Sequence, residues 1–527
     1  MEKIHNPVLR GFNPDPSILR VGENYYIATS TFQWFPGVQI HCSKDLVHWK
    51  FLCRPLDCKR LLDLTGVPDS GGVWAPCLTY DGGIFYLVYS IVRTFKNYYK
   101  DVDNYLTTAE NIEGPWSNPV YLNSSGFDAS MFHDTDGRKY LVNQLFNHRD
   151  KKNQFLGIVL QEYDSVSKCL KGKPEIIFRG SKLGITEGPH IYKVDQYYYL
   201  ICAEGGTFYK HAVTLARSRQ LRGPYEIYPD NPILTSYGNP ELELQKSGHG
   251  SLVQTEDGQF YMAHLCARPG DNRRCMLGRE TAIQKLERTD DGWFRLEGGG
   301  NAPRMEVPGL PYQKQMESRP KIRKNFENGL PEEFQSLREP MNSNWIYFKR
   351  KNKSMVLIGR TSMESMHYQS LVGRRREDFY FEAETALVFE PDNFQQMAGI
   401  AVYYDTMNYA YLNLSFDEKE GRFLQLLECD QGIITQKGYA AMEQNMVRMR
   451  IKANKDQAEF FWSTDGKAFC RIGPELDITH MSDDYYIEEI MGLRFTGTFI
   501  ALCCQDISGQ KKEAEFMYFD YQGYDTI

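Results

Sequence analysis

The chain has 527 residues, 24% of them charged, and a formal net charge of −7 at pH 7. That length exceeds what one hydrophobic core usually supports, so two domains are expected. The mild acidity leaves no basic footprint for nucleic acid, and no apolar run is long enough to span a bilayer, so neither partner is expected.

The first ten residues, MEKIHNPVLR, lack the apolar stretch and small-residue cleavage site of an export signal, and a cytoplasmic location is expected. In FNPDPSILRVGENYYIATS, residues 12–30, Asp15 stands between two prolines. Proline bars a helix and pushes the residue before it toward extended geometry, which predicts a stiff, extended lead-in to a strand. The pattern recurs as WAPCLTYDGGIFYLVYS from Trp74, DASMFHDTDGRKYLVNQ from Asp128, EGPHIYKVDQYYYLICA from Glu187 and HGSLVQTEDGQFYMAHL from His249. Each copy has a small or proline-bearing start, a short apolar strand, a turn usually rich in Asp or Gly, and an aromatic-led strand, the signature of a hairpin. From Asp15 onward the copies start 59, 54, 59 and 62 residues apart. That spacing suits four strands with loops, and five such sheets suggest a five-bladed β-propeller over residues 1–310.

EGGGNAPRMEVPGLPYQKQ, residues 297–315, is rich in glycine and proline and reads as a linker. Beyond it FYFEAETALVF, AGIAVYY, YAYLNLSF, FLQLLE and VRMRIKA alternate apolar and polar residues, which predicts a β-sandwich over residues 311–527. The fold class is therefore all-β. Twelve cysteines are scattered without a CxxC pair; this suits neither zinc nor a disulfide framework, and they read as buried small apolar residues.

Register gives the first functional inference. Trp74, Asp128, Glu187 and His249 each lie twelve residues before a tyrosine of their hairpin's second strand, Tyr86, Tyr140, Tyr199 and Tyr261 in turn, and Asp15 lies eleven before Tyr26. With a strand period of two, equivalent positions point the same way, so these five side chains are expected at one mouth of the central channel. Three carboxyls, an indole and an imidazole make an expensive core but a plausible pocket. A pair of carboxyls, one protonated and one ionised, is what glycosidic bond cleavage needs. Glu187, followed by Gly188 and Pro189, is assigned the proton for the leaving oxygen. Asp15 is assigned as base toward water, and Asp128 as the neighbour that raises the pKa of Glu187 and helps orient it. Trp74 offers a face to the sugar and His249 a hydrogen bond, or a ligand for a channel-centre ion or water.

The same residues carry a resemblance. FNPDPSI, TFQWFPGV, GGVWAPCLTY, NSSGFDASMFHD, TEGPHIY, AEGGTFYKHA, LGRETAIQK and FEPDNFQQMAGIAVYY resemble family-43 glycoside hydrolases of the two-domain β-xylosidase type, over nearly the whole chain. The resemblance implies a five-bladed propeller, inversion at the anomeric carbon, and the roles just given to Asp15, Asp128 and Glu187. It further implies that Phe32 and Trp74 wall the sugar subsite, that His249 lies at its floor, and that Arg279 binds substrate or steadies a carboxylate. It implies too that the sandwich lends an aromatic loop to the rim, assigned to Phe499 in GTFIALCCQD, the other reading being an interior strand residue. The chain departs from the family at Ala129, Gly250 and Ser251, which bears on the channel and on any calcium or sodium ion there near His249. Asn325 and Met517 stand where some relatives carry calcium-binding acids, so no metal is expected in the sandwich and no cofactor is required.

These features predict an exo-acting β-D-xylosidase on short xylo-oligosaccharides with a side activity on arabinosides, and leave room for a homo-oligomer. Three alternatives are an α-L-arabinofuranosidase proper, a retaining fructosidase propeller, and a glycan-binding propeller without catalysis.

Overall fold

In the computed structural model, residues 2–95, 98–149, 152–310, 322–485 and 494–524 are described, and among them there is no α-helix. The chain forms two compact units. The first comprises Met1–Leu62, Gly71–Arg268 and Arg279–Lys314; the second comprises Asp63–Ser70, Pro269–Gly278 and Gln315–Ile527. Two short stretches of the predicted propeller range, 63–70 and 269–278, thus group with the second unit, a difference invisible to composition.

The first unit is a five-bladed β-propeller. Its blades begin with strands Ser17–Val21, Gly72–Asp81, Ser130–His133, Glu187–Val194 and Gln245–Gln254, each the edge of an antiparallel sheet whose next three strands follow in chain order. The innermost strands lie side by side in sequence, and the first lies beside the last, so the ring is closed. Each blade has two apolar faces, and these are buried between blades. Val88, Leu106, Met131 and Leu141 fill the space between the second and third, and Ile201, Val213, Leu252 and Met262 that between the fourth and fifth.

Hydroxyls stitch the inner strands together. Ser17 Oγ accepts from Leu78 N at 3.0 Å, Ser130 Oγ donates to Pro189 O at 2.5 Å, Tyr192 Oη accepts from Leu252 N at 2.8 Å, and Ser251 Oγ accepts from Ile18 N at 3.0 Å. Inner strands cannot satisfy every backbone group within their own blade, and these side chains supply the missing partners.

Part of the predicted linker is ordered structure. Glu306–Pro308 pairs with Lys3–His5 in a two-stranded sheet, so glycine and proline here mark a return of the chain rather than a tether. Residues 311–315 of that stretch lie outside the described residues.

The second unit is a β-sandwich. One sheet runs Ile346–Lys349, Ser354–Ile358, Glu513–Tyr524, Tyr380–Phe389, Met446–Asn454, Gln457–Ser463 and Cys470–Arg471; the other includes Ile433–Ala441, Gly421–Asp430, Asn408–Asp417, Gln396–Asp405, Phe499–Asp506, Leu371–Arg375 and Phe334–Leu337. Alternation builds its core: Val447, Met449, Ile451 and Ala453 face inward opposite Leu387, Thr385, Ala383 and Phe381. The cysteine reading needs correction. Seven of the twelve are buried, three are partly exposed, and Cys169 and Cys470 are exposed on strands.

Candidate active site

The inner strands enter the ring through an unusual backbone. Asp15, Asp128 and His249 have φ of 55°, 53° and 51°, and Gly188, next to Glu187, has 56°. Asp and His are among the few residues with a β-carbon that tolerate this left-handed region. The extended geometry expected for Asp15 is therefore wrong. The proline that follows disfavours the helical region for Asp15, and the turn settles in the left-handed region instead. Register shifts fall beside Trp74, Glu187 and His249, so three of the five strands bulge where they carry these side chains, and bulges re-aim side chains.

Asp15 is buried and held from two sides. Ser30 Oγ donates to Oδ2 at 2.7 Å, Arg279 Nη1 donates to Oδ1 at 3.1 Å, and His249 Nδ1 lies 3.9 Å from Oδ1. Arg279 Nη1 also donates to Thr207 Oγ1 at 2.9 Å, and the guanidinium lies 5.3 Å from the centre of the Phe32 ring. Phe32 stands 6.0 Å from Trp74, which packs edge-on against Phe95 and Phe127 at 5.3 and 5.6 Å. Phe32 and Val73 exchange two backbone hydrogen bonds at 3.0 Å, fixing this aromatic wall.

Asp128 Oδ2 accepts from the backbone N of Gly188 at 3.2 Å, the residue after Glu187. Burial, then the charges of Glu187 and Asp15, push the Asp128 carboxyl well above the usual carboxylate range. Glu187 is partly exposed, and its carboxyl is pushed up to about 8 by burial first and by Asp15 next, with Lys100 and Arg279 pulling the other way. The charge that raises Glu187 is therefore that of Asp15, whereas Asp128, expected to raise it, is itself raised by Glu187. Burial also lowers His249, with Asp15 opposing and Arg279 adding to the drop, so its imidazole is neutral at pH 7.

The structure thus gathers Asp15, Asp128, Glu187, His249, Arg279, Phe32 and Trp74 in the first unit. Phe499 lies in the second, where GTFIALCCQD forms strand Phe499–Asp506 rather than a loop. Phe499 is fully buried, pairs in register with Arg375 and Tyr403, and lies under the Arg375 guanidinium at 5.5 Å.

Sequence reasoning missed Ser30, Thr207 and Lys100. Ser30 carries a faint signal, since it ends the hairpin that Asp15 begins and so returns to the same mouth. Lys100 carries none, for FKNYYKD reads as a solvated turn. Its ammonium nonetheless lies 4.9 Å from the centre of the Phe146 ring, and burial lowers its pKa against the pull of Glu187.

Comparison with known proteins agrees with this architecture. Residues 4–294 match the model of glycosyl hydrolases family 43, and residues 323–522 match the β-xylosidase C-terminal concanavalin A-like domain. The chain is 46% identical to a β-xylosidase of Bacillus subtilis (strain 168) over 533 residues, covering 99% of each. It is 44% identical to a xylosidase/arabinosidase 43B of Humicola insolens, covering 99% of this chain and 98% of the other. The crystal structure of a xylan β-1,4-xylosidase from Bacillus halodurans C-125 superposes with a TM-score of 0.96 at 47% identity, covering 98% of this chain and 100% of that one. With a propeller that gathers paired carboxyls and a family model matched across its catalytic unit, the chain belongs to glycosyl hydrolase family 43, the glycoside hydrolases.

Proposed function

We propose that this hydrolase is an exo-acting, inverting β-D-xylosidase that releases xylose from the non-reducing end of short xylo-oligosaccharides, with a side activity on α-L-arabinofuranosides. One observation carries the reading: two carboxyls close enough for the charge of Asp15 to raise Glu187 have different partners. Asp15 has a guanidinium at 3.1 Å, while Glu187 is held protonated up to about pH 8. Glu187 gives its proton to the glycosidic oxygen as the bond from C1 to that oxygen breaks. Asp15 takes a proton from the water whose oxygen bonds to C1 from the opposite face. Asp128 holds the acid through Gly188, and Phe32 and Trp74 cover the apolar face of the sugar. Arg279 steadies Asp15 and presents donors toward the sugar hydroxyls.

These steps draw on side chains alone. A calcium or sodium ion in the channel beside the neutral His249 is a separate expectation, tested by assay after chelation. Twelve free cysteines, two of them exposed, suit the reducing cytoplasm proposed for the chain.

The second reading is an α-L-arabinofuranosidase proper, favoured by the Humicola relative named for both activities. The two sugars differ by groups that a pocket separates by only about 1–3 kcal/mol. Rates on the nitrophenyl β-xyloside and α-arabinofuranoside decide between them, with NMR of the first-formed anomer in the same tube. A larger kcat/KM on the xyloside with inverted product is expected. Preference for the arabinoside reverses the order of activities, and net retention removes the role given to Asp15.

A further inference from the structure

We propose that Glu204 is a positioning residue for the general acid, acting through Thr186 and Ser181; this rests on the acid role proposed for Glu187. Glu204 ends the strand Tyr197–Glu204, whose Ala203 pairs in register with Glu187. It is completely buried. Its Oε1 accepts from Ser181 N at 2.7 Å and from Thr186 Oγ1 at 2.7 Å, and its Oε2 accepts from Ser181 Oγ. All three donors belong to the short turn that delivers Glu187. Gly205 N donates to Gly184 O at 2.9 Å, tying the residue after Glu204 to the same turn.

That turn is strained where it meets the acid. Ile185 has φ 53°, and a β-branched side chain in the left-handed region costs on the order of 1–3 kcal/mol and persists only where its surroundings fix it. The Glu204 bonds flank it, at Ser181 and Thr186. Gly180 makes room for them, since a β-carbon there would come within 2.0 Å of Thr186 Oγ1. Buried carboxylates are costly, and a carboxylate here is explained by its acceptor capacity: both oxygens are used, where a glutamine offers only one acceptor. An acid must meet the leaving oxygen within hydrogen-bond reach, and a misplacement of about 1 Å can cost roughly 100-fold in rate. Glu204 thus fixes the backbone on the N-terminal side of Glu187, while Asp128 holds Gly188 on the other.

The test uses leaving groups, because a departing dinitrophenolate needs little protonation and a departing phenolate much. Glu204→Gln, Thr186→Val, Thr186→Ser and Glu187→Gln are compared with the parent on dinitrophenyl and phenyl β-xylosides. Glu187→Gln sets the scale, with a loss of roughly 100-fold or more on the phenyl substrate and far less on the dinitrophenyl one. Glu204→Gln and Thr186→Val are expected to lose about tenfold in kcat on the phenyl substrate and less than about threefold on the other, with Thr186→Ser restoring the ratio. Thr186→Val keeps the buried volume, so it reports even if Glu204→Gln fails to fold. If Glu187→Gln shows the leaving-group dependence while Thr186→Val loses both substrates equally or neither, the positioning role is wrong and the acid stands. If Glu187→Gln is itself indifferent to the leaving group, the acid assignment fails and this inference with it.

Discussion

At Glu187 two sets of forces meet, and their balance sets the working pH. Burial and the charge of Asp15 favour the protonated carboxyl, while Lys100 and Arg279 favour the ionised one, leaving it at about 8 against an ordinary 4.5. The proposed acid must be protonated, so kcat/KM is expected to fall as pH rises through about 8. The folded chain binds this proton more tightly than the unfolded one, so the same shift subtracts stability as pH rises from 4.5 to about 8. Lys100→Met removes one of the two opposing cations and keeps an apolar stem against Phe146. It should raise the pKa of Glu187 and move the basic limb of the profile to higher pH. A limb that stays in place, or moves to lower pH, would show that the ammonium does not reach the acid. The site also departs from ordinary backbone geometry, where Asp15, Asp128 and His249 all occupy left-handed φ, and such strain collects at sites whose geometry matters more than local comfort.

At the scale of the strand, the propeller depends on bonds that pass between blades. Tyr192, on the innermost strand of the fourth blade, accepts from Leu252 N at 2.8 Å and meets Ser251 Oγ at 3.3 Å on the fifth. Tyr192→Phe keeps the ring and removes only the oxygen, so a buried amide loses its acceptor. A loss of about 1–3 kcal/mol is expected in denaturant unfolding, and an unchanged midpoint would mean that another group satisfies Leu252. All five hairpins were legible in the sequence, because each pairs neighbours a few residues apart and the aromatics mark the register. Asp15, Asp128, Glu187, Trp74 and His249 were legible because each stands at the start of a repeated hairpin, although bulges and left-handed turns, rather than an unbroken period of two, set their direction. What stayed hidden was non-local. Glu306–Pro308 read as a linker because its partner, Lys3–His5, lies some 300 residues earlier. The left-handed turn at Asp15 was masked by the usual effect of a following proline, and of the two readings given for Phe499 the structure shows the interior strand residue and not the rim loop.

At the scale of the whole chain, the second unit recruits Asp63–Ser70 from far upstream, and a buried ion pair holds that stretch. Arg338 donates through Nη2 to Asp69 Oδ1 at 2.5 Å, through Nε to Val67 O at 2.6 Å and through Nη1 to Gln369 Oε1 at 3.0 Å. Thr406 N donates to Asp69 Oδ2 at 3.0 Å, and its hydroxyl donates to the same oxygen. No local pattern joins residues 69, 338, 369 and 406, which is why the sequence did not reveal them as partners. Burial alone would push the Asp69 carboxyl up, but Arg338 and the Thr406 bonds outweigh it and hold it below the usual range. Its contribution to stability is therefore present above about pH 4 and is lost as pH falls through the lower folded value. Arg338→Met strands a carboxylate in the interior and should cost about 3–5 kcal/mol at neutral pH. Adding Asp69→Asn removes the stranded charge, so the double variant should be more stable than Arg338→Met alone, with the difference shrinking in acid as Asp69 takes up a proton in the single variant. Denaturant unfolding of the parent, the single and the double variants at neutral and acid pH measures this; a double variant no more stable than Arg338→Met at neutral pH would mean that the pair is not an electrostatic unit.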